Sequence, residues 1–219
     1  MTLEVDVFWS FRSPYSYLAT PRLVELERKY DLAVHVRPVL PIAVRIDGFF
    51  DRVNPLWPPY LVRDCFRIAE SLDMPFNWPR PDPIVQDFAT RSIPKEQPYI
   101  YRLTRLGVLA AERGRGLPFI TEVSRTIFGG TLNWHEGTHL AEAAARAGCD
   151  LAEMDKTIAA PAEAAWLDAV IAENQAALEK AGHWGVPTTV FQGEPFFGQD
   201  RLELLVWRLK QRGLAERRA

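Results

Sequence analysis

The sequence is poor in cysteine. Only Cys65 and Cys149 occur in 219 residues, and neither belongs to a Cys-x-x-Cys pair or a cluster with metal-ligand spacing. That excludes a disulfide-stapled scaffold, a zinc ribbon and a dithiol redox motif. No apolar run is long enough to span a membrane. The opening "MTLEVDVFW" lacks a basic n-region followed by an apolar h-region, so no secretory leader is read. A reduced, cytoplasmic, soluble protein is the expectation. Lys and Arg total 26 against 28 Asp and Glu, and no stretch concentrates the basic residues. Neither nucleic acid nor a membrane is therefore an expected partner. What remains is a globular composition, 47% hydrophobic and 25% charged, which supplies a core without staples.

The chain is organised by changes of period and by proline. "LEVDVFWS" alternates at first and becomes wholly apolar at Phe8-Trp9, the pattern of a strand entering a sheet covered on both faces. Ser13 is a good N-cap and Pro14 a good first helical residue, so a helix is expected from there. Pro21 lies inside that helix and predicts a kink or a break. "DLAVHVRPV" reads as the next strand, giving a right-handed βαβ unit with a parallel pair. Nine of the 17 prolines then crowd residues 55 to 98, where only "YLVRDCFRIAESLD" reads as a clear helix. Helices follow at roughly 99–114, 117–128, 134–147 and 151–159, with glycines where C-caps belong. Pro161 opens a long helix. "GVPTTVFQGEPFFGQDRLELLVWRL" then reads as a strand (188–192), a turn at Gly193, a short strand (195–197) and a helix from Asp200. The order is β-α-β, a helical block, then β-β-α.

The first helix start carries the central question. A strand, a loop and a helix N-terminus of this kind hold Cys-x-x-Cys in a redox protein, but here the motif is Ser13-Pro14-Tyr15-Ser16. Three patches fill the functional positions of the thioredoxin order. They are "SPYSYLA", "GVPTTV" with Pro187 directly before a strand, and "FFGQDRLELL" at the last helix. With "NP…Y…D…R.A" and "MPFNWP" between them, the motifs occur in the order of a known group. The sequence resembles the family of 2-hydroxychromene-2-carboxylate isomerases and kappa-class glutathione transferases, within the DsbA-like branch of thioredoxin folds. The resemblance implies an α/β thioredoxin-like fold with an all-α insertion domain. Residues 1–50 and 161–219 would form the first domain and 51–160 the second.

It also implies a role for each patch. Ser13 stands where the redox cysteine would be, so the catalytic thiol would come from bound glutathione. A thiol at a helix N-terminus meets unpaired N–H groups and a partial positive charge, both favouring thiolate. A serine hydroxyl adds one hydrogen bond to that sulfur and cannot form a disulfide. A cis peptide before Pro187 would turn the backbone of Val186 outward, where the cysteinyl part of glutathione can pair like an added strand. Gly198, Gln199 and Asp200 match the family's "G-[SN]-D" and would receive the γ-glutamyl end.

On the substrate side, Asn54-Pro55 precedes Tyr60 as in the family, which often has Lys where this chain has Trp57. Arg12 or Arg45, with Asn54, would hold a substrate carboxylate, and Trp57, Trp9 and Phe49 would wall an aromatic pocket, with core packing as the alternative for each. Asn174 matches a family asparagine eleven residues before Gly185, with a structural polar contact as its alternative. "HEGTH", His135 to His139, fits the H-E-x-x-H zinc pattern, but Gly137 inside it and the lack of a further ligand argue for no metal. His35 and His183 read as structural. The implied activity is glutathione-dependent isomerisation of an aromatic 2-oxo acid or chromene carboxylate by a homodimer. The alternatives are glutathione transfer and a non-catalytic thioredoxin-like module that binds peptides. A dithiol oxidoreductase is excluded by Ser13 and Ser16.

Overall fold

The computed structural model describes residues 2–87, 90 and 92–217. Strand β1 (Leu3–Trp9) leads through a short loop into helix α1 (Pro14–Lys29), and the chain returns as strand β2 (Leu32–Pro38). β1 and β2 are parallel, with Leu3 opposite Leu32 and Trp9 opposite Pro38. α1 runs through Pro21 without a break. Two short helices follow that the proline-rich pattern did not announce, α2 (Ile42–Arg45) and α3 (Phe49–Arg52). Helix α4 (Trp57–Ser71) starts three residues earlier than its periodic face suggests, because Pro58 and Pro59 fit a first helical turn.

The helical block continues with α5 (Ile100–Glu112), α6 (Gly116–Phe128), α7 (His139–Arg146) and α8 (Leu151–Ala159). α7 begins at His139, not at residue 134. Asn133 and Gly137 hold φ of 50° and 58°, and a left-handed residue cannot continue a right-handed helix. The long helix α9 (Pro161–Lys180) leads to strands β3 (Thr188–Phe191) and β4 (Glu194–Phe197). A 3-10 turn, Gln199–Arg201, then precedes helix α10 (Leu202–Lys210). β3 is antiparallel to both β1 and β4, and the sheet order is β2-β1-β3-β4. The thioredoxin order expected from the sequence is the order observed.

Strand alternation divides the packing. Val5, Val7 and Trp9 of β1 enter one large core with Leu18 and Leu23 of α1, Leu106 of α5 and Phe119 of α6. Phe8, on the opposite face, packs with Val39 and Leu178 of α9. The insertion helices therefore meet the sheet directly. Phe11, fully buried just after β1, sits edge-on to Trp9 and to Phe119, with centroids 4.8 and 6.3 Å away. Gly107 of α5 makes room for it, since a Cβ there would lie 2.7 Å from the Phe11 ring. This packing fixes the loop 10–13, and so the end of α1 that carries Ser13. Among the described residues no helix is long and apolar enough to cross a membrane.

Candidate functional site

Ser13 is the N-cap of α1. Its φ and ψ of −89° and 111° are extended, and its Oγ accepts the Ser16 N–H at 3.2 Å. The same Oγ donates to the Val186 carbonyl at 3.2 Å. One hydroxyl thus joins the start of α1 to the loop before β3. Pro14 has no N–H, and Ser16 and Tyr17 give theirs to Ser13, which leaves Tyr15 N–H without an intrahelical acceptor at the helix end. Ser16, at the second end of the motif, is buried, and its Oγ has no hydrogen-bond partner among the described residues.

The opposite wall is the loop before β3. The Val186-Pro187 peptide is cis. Val186 N–H has no acceptor among the described residues, so an unused backbone donor stands beside the Ser13 hydroxyl. Gly185, just before it, is held by its N–H to Nδ1 of His183 at 2.9 Å. A Cβ on Gly185 would lie 2.6 Å from the Phe197 ring and 3.0 Å from that of His183. The glycine permits a stack in which His183 lies between Trp184 (4.6 Å) and Phe197 (3.8 Å). Burial lowers the His183 pKa, so the neutral ring is favoured.

Between these walls lies a largely apolar cavity of about 600 Å³. It brings together Arg12, Ser13, Arg45, Asn54, Trp57 and Val186, along with Phe49, Tyr15, Trp184 and Phe197. Trp57 and Phe49 meet edge to face at 6.1 Å on one side. Trp9 is not part of this wall. It is fully buried, with its indole N–H shared between the Ser16 carbonyl and Thr20 Oγ1 at 3.1 and 3.0 Å. Asn54 Oδ1 is taken by the Leu56 N–H at 3.0 Å, an Asx turn that shapes the entry to α4. Tyr15 hydroxyl donates to Asp64 at 2.8 Å, and burial and that bond push its pKa far above the ordinary value. Tyr60 is half exposed at the other oxygen of Asp64.

The two arginines differ. Arg12 makes a two-point contact with Asp82, both bonds at 3.2 Å, and lies over the Phe50 ring. Arg45 instead donates to two backbone carbonyls, of Leu40 at 3.0 Å and Trp184 at 2.6 Å. It forms no ion pair with any described carboxylate, and burial lowers its pKa.

Gly198, Gln199 and Asp200 do not line the cavity. They lie beyond it at the end of β4, where Gly198 N–H reaches the Pro187 carbonyl at 2.8 Å. Gly198 has φ of 105°, and a Cβ there would lie 2.5 Å from Asp200 Oδ1. Gln199 accepts from the half-buried Arg22 of α1, which the sequence did not single out. Asp200 pairs with Arg201 at 2.7 Å in the 3-10 turn, and the expected helix start is displaced to Leu202.

Asn174 is a satisfied structural group. Its amide donates to the Pro38 carbonyl at 3.1 Å, away from the cavity. "HEGTH" is mostly a turn, and His139 is the first residue of α7, so its two histidines do not share a helical face. Among the described residues no three His, Cys, Asp or Glu are grouped to hold a metal ion. His35 is exposed beside Glu4. Cys65 is fully buried, and burial with the adjacent Asp64 pushes its pKa up to about 12.

The residues missed from sequence are Asp82, Tyr15, Trp184 and Phe197. Trp184 and Phe197 adjoin "GVPT" and "GQD", so proximity to those motifs was an available signal. Asp82 had none.

Comparison with known proteins places this geometry in context. The model of the DSBA-like thioredoxin domain matches residues 4–210. No curated protein matches the chain. A solved structure of 2-hydroxychromene-2-carboxylate isomerase is similar at 21% identity and TM-score 0.68, covering 95% of each chain. A probable DsbA oxidoreductase from Streptomyces coelicolor is similar at 17% and 0.66, over 95% of this chain and 89% of that one. The cytosolic disulfide reductase DsbM from Pseudomonas aeruginosa, solved with GSH, gives 18% and 0.58, over 95% and 100%. At these identities the likeness is one of fold.

Proposed function

The chain belongs to the DSBA-like thioredoxin domain family, and from that premise we propose that it is a glutathione-dependent isomerase of an aromatic 2-oxo acid or chromene carboxylate. One observation carries the reading. The position of the redox cysteine holds Ser13, whose hydroxyl spans to the Val186 carbonyl at 3.2 Å and faces an apolar cavity containing a cation. A solved relative by fold bears the name of such an isomerase, and another was solved with GSH.

The residues present fit glutathione. The unused Val186 N–H and the adjoining carbonyl offer an extended peptide a strand-like partner. Ser13 Oγ and Tyr15 N–H provide two donors at the N-terminus of α1 for a sulfur anion. Gly198, Gln199 and Asp200 are the polar groups beyond Pro187 for the γ-glutamyl end. When bound, glutathione supplies a thiolate able to add reversibly to an electron-poor double bond, which permits rotation before release. Ser13 turns its hydroxyl from the Val186 carbonyl to the sulfur and stabilises the anion. Arg45 holds the substrate carboxylate, while Trp57, Phe49 and Trp184 enclose the ring and exclude water.

Two measurements test this. Millimolar glutathione raises the melting temperature, because a ligand that binds only the native state stabilises it. No shift would favour a non-catalytic peptide-binding module. With 2-hydroxychromene-2-carboxylate, isomer forms at constant glutathione, whereas stoichiometric loss of the thiol would identify a transferase.

A further inference from the structure

The cavity beside Ser13 is lined by two charged side chains among the described residues, Arg12 and Arg45, and by no carboxylate. Their surroundings decide what charge a ligand meets. Asp82 is behind Arg12, with both guanidinium contacts at 3.2 Å, and the two side chains are only 21% and 23% exposed. A pair shielded to that degree is weakly screened, so Asp82 cancels most of the Arg12 field. Asp82 is itself fixed, because its Oδ1 also accepts the Ile84 N–H at 3.0 Å. Arg45 uses two of its five N–H groups on backbone carbonyls, and Glu179 acts on it through space without forming an ion pair. Its remaining donors have no carboxylate partner among the described residues.

Resting on the reading of this cavity as the substrate site, we propose that Asp82 is its specificity-determining residue. By occupying Arg12 it leaves Arg45 as the one lining cation without an ion pair among the described residues. The site then takes a planar aromatic monocarboxylate and turns away a dicarboxylate. A second carboxylate near Arg12 would meet the like charge of Asp82 instead of a free guanidinium. The aromatic body lies between Trp184, whose backbone carbonyl Arg45 holds, and the Trp57–Phe49 pair across the cavity.

The test needs no glutathione, so its outcome is separate from that of the glutathione reading. Binding of 2-naphthoate, of its uncharged amide and of 3-(carboxymethyl)-2-naphthoate is followed by tryptophan fluorescence and calorimetry. Wild type is expected to prefer the monocarboxylate to the dicarboxylate by about tenfold, the scale of one charged hydrogen bond. Asp82→Asn keeps the oxygen that accepts from Ile84 N–H and Arg12 Nε, but it removes the second Arg12 contact and the negative charge that answers the guanidinium. It should abolish or reverse that preference. Arg45→Met should weaken 2-naphthoate by about tenfold or more while leaving the amide unchanged, which also shows that the wall is intact, and Arg45→Lys should recover part of the loss. An unchanged mono-to-dicarboxylate ratio in Asp82→Asn overturns the role of Asp82. Full 2-naphthoate affinity in Arg45→Met overturns the role of Arg45.

Discussion

Replacing Ser13 separates two functions of one hydroxyl. Its Oγ accepts from Ser16 N–H and donates to the Val186 carbonyl, each at 3.2 Å. Ser→Ala at an N-cap costs about 1 kcal/mol. The lost bond to Val186 adds roughly 0.5 kcal/mol, at the low end for a hydrogen bond because it is only partly buried. In a chain of this size about 1.5 kcal/mol lowers the melting temperature by roughly 3–6 °C. Ser13→Gly keeps most of the cap, since glycine there costs only a few tenths of a kcal/mol. Its expected loss is about half that of alanine. Ser13→Gly thus leaves the start of α1 formed and still removes the donor.

The proposed role is then read directly from bound glutathione. A hydrogen bond to a charged acceptor contributes about 1.5–3 kcal/mol, and 1.36 kcal/mol is one pKa unit. The apparent pKa of the bound thiol, from thiolate ultraviolet absorbance against pH, should rise by roughly 1–2 units in both variants. If Ser13→Gly binds glutathione and its thiol titrates within about 0.3 units of wild type, the hydroxyl does not activate the sulfur. The helix end alone would then account for any activation.

Other consequences are independent of the ligand. Gly107→Ala places a Cβ 2.7 Å from the buried Phe11 ring, and calorimetry should show a loss of about 1–3 kcal/mol, as for other overpacked cores. His183 has a pKa held below its ordinary 6.5 by burial, so the native state prefers the neutral ring. Its contribution is present above that value and is lost as pH falls through the depressed pKa. Melts from pH 7.5 to about 5 should decline, and His183→Phe, which keeps a ring in the stack, should decline less; equal slopes refute the assignment. Cys65 is fully buried with its pKa up at about 12, whereas Cys149 is partly exposed. A thiol reagent at neutral pH should label Cys149 first and Cys65 only on unfolding; early labelling of Cys65 would contradict the packing around it.

The sheet and long helices were legible because each leaves a periodic mark. β1 and β2 alternate, α9 repeats Leu167, Ile171, Asn174 and Leu178 on one face, and Gly193 marks the β3–β4 turn. The short helices α2 and α3 left none, since four residues make a single turn and no repeating face. The start of α7 was misplaced because Asn133 and Gly137 take left-handed conformations that their polar, helix-like surroundings conceal. Gln199 and Asp200 showed a helix start, but a 3-10 turn and a full helical turn share the same capping chemistry.

The site divides along a similar line. Ser13 and Pro187 were readable because each has a backbone duty, an N-cap and a cis peptide, that ties its residue type to one place in the fold. Of the two readings open for Trp9, a pocket wall or the core, strand alternation selects the core and leaves Ser10 lining the cavity. The charge of the cavity had no local signature at all. Arg12 and Asp82 are 70 residues apart, and nothing in "RPDP" marks its aspartate as the partner of a residue beside the helix cap. From sequence, Arg12 is the more attractive anion ligand because it adjoins Ser13. In the fold its charge is already answered by Asp82, and the more distant Arg45, hydrogen-bonded to the carbonyls of Leu40 and Trp184, is the cation we propose for the ligand. The proposed choice between the two arginines therefore rests on Arg45 having no ion pair with a described carboxylate and on the lack of any carboxylate lining the cavity, properties of the assembled fold that no single segment carries.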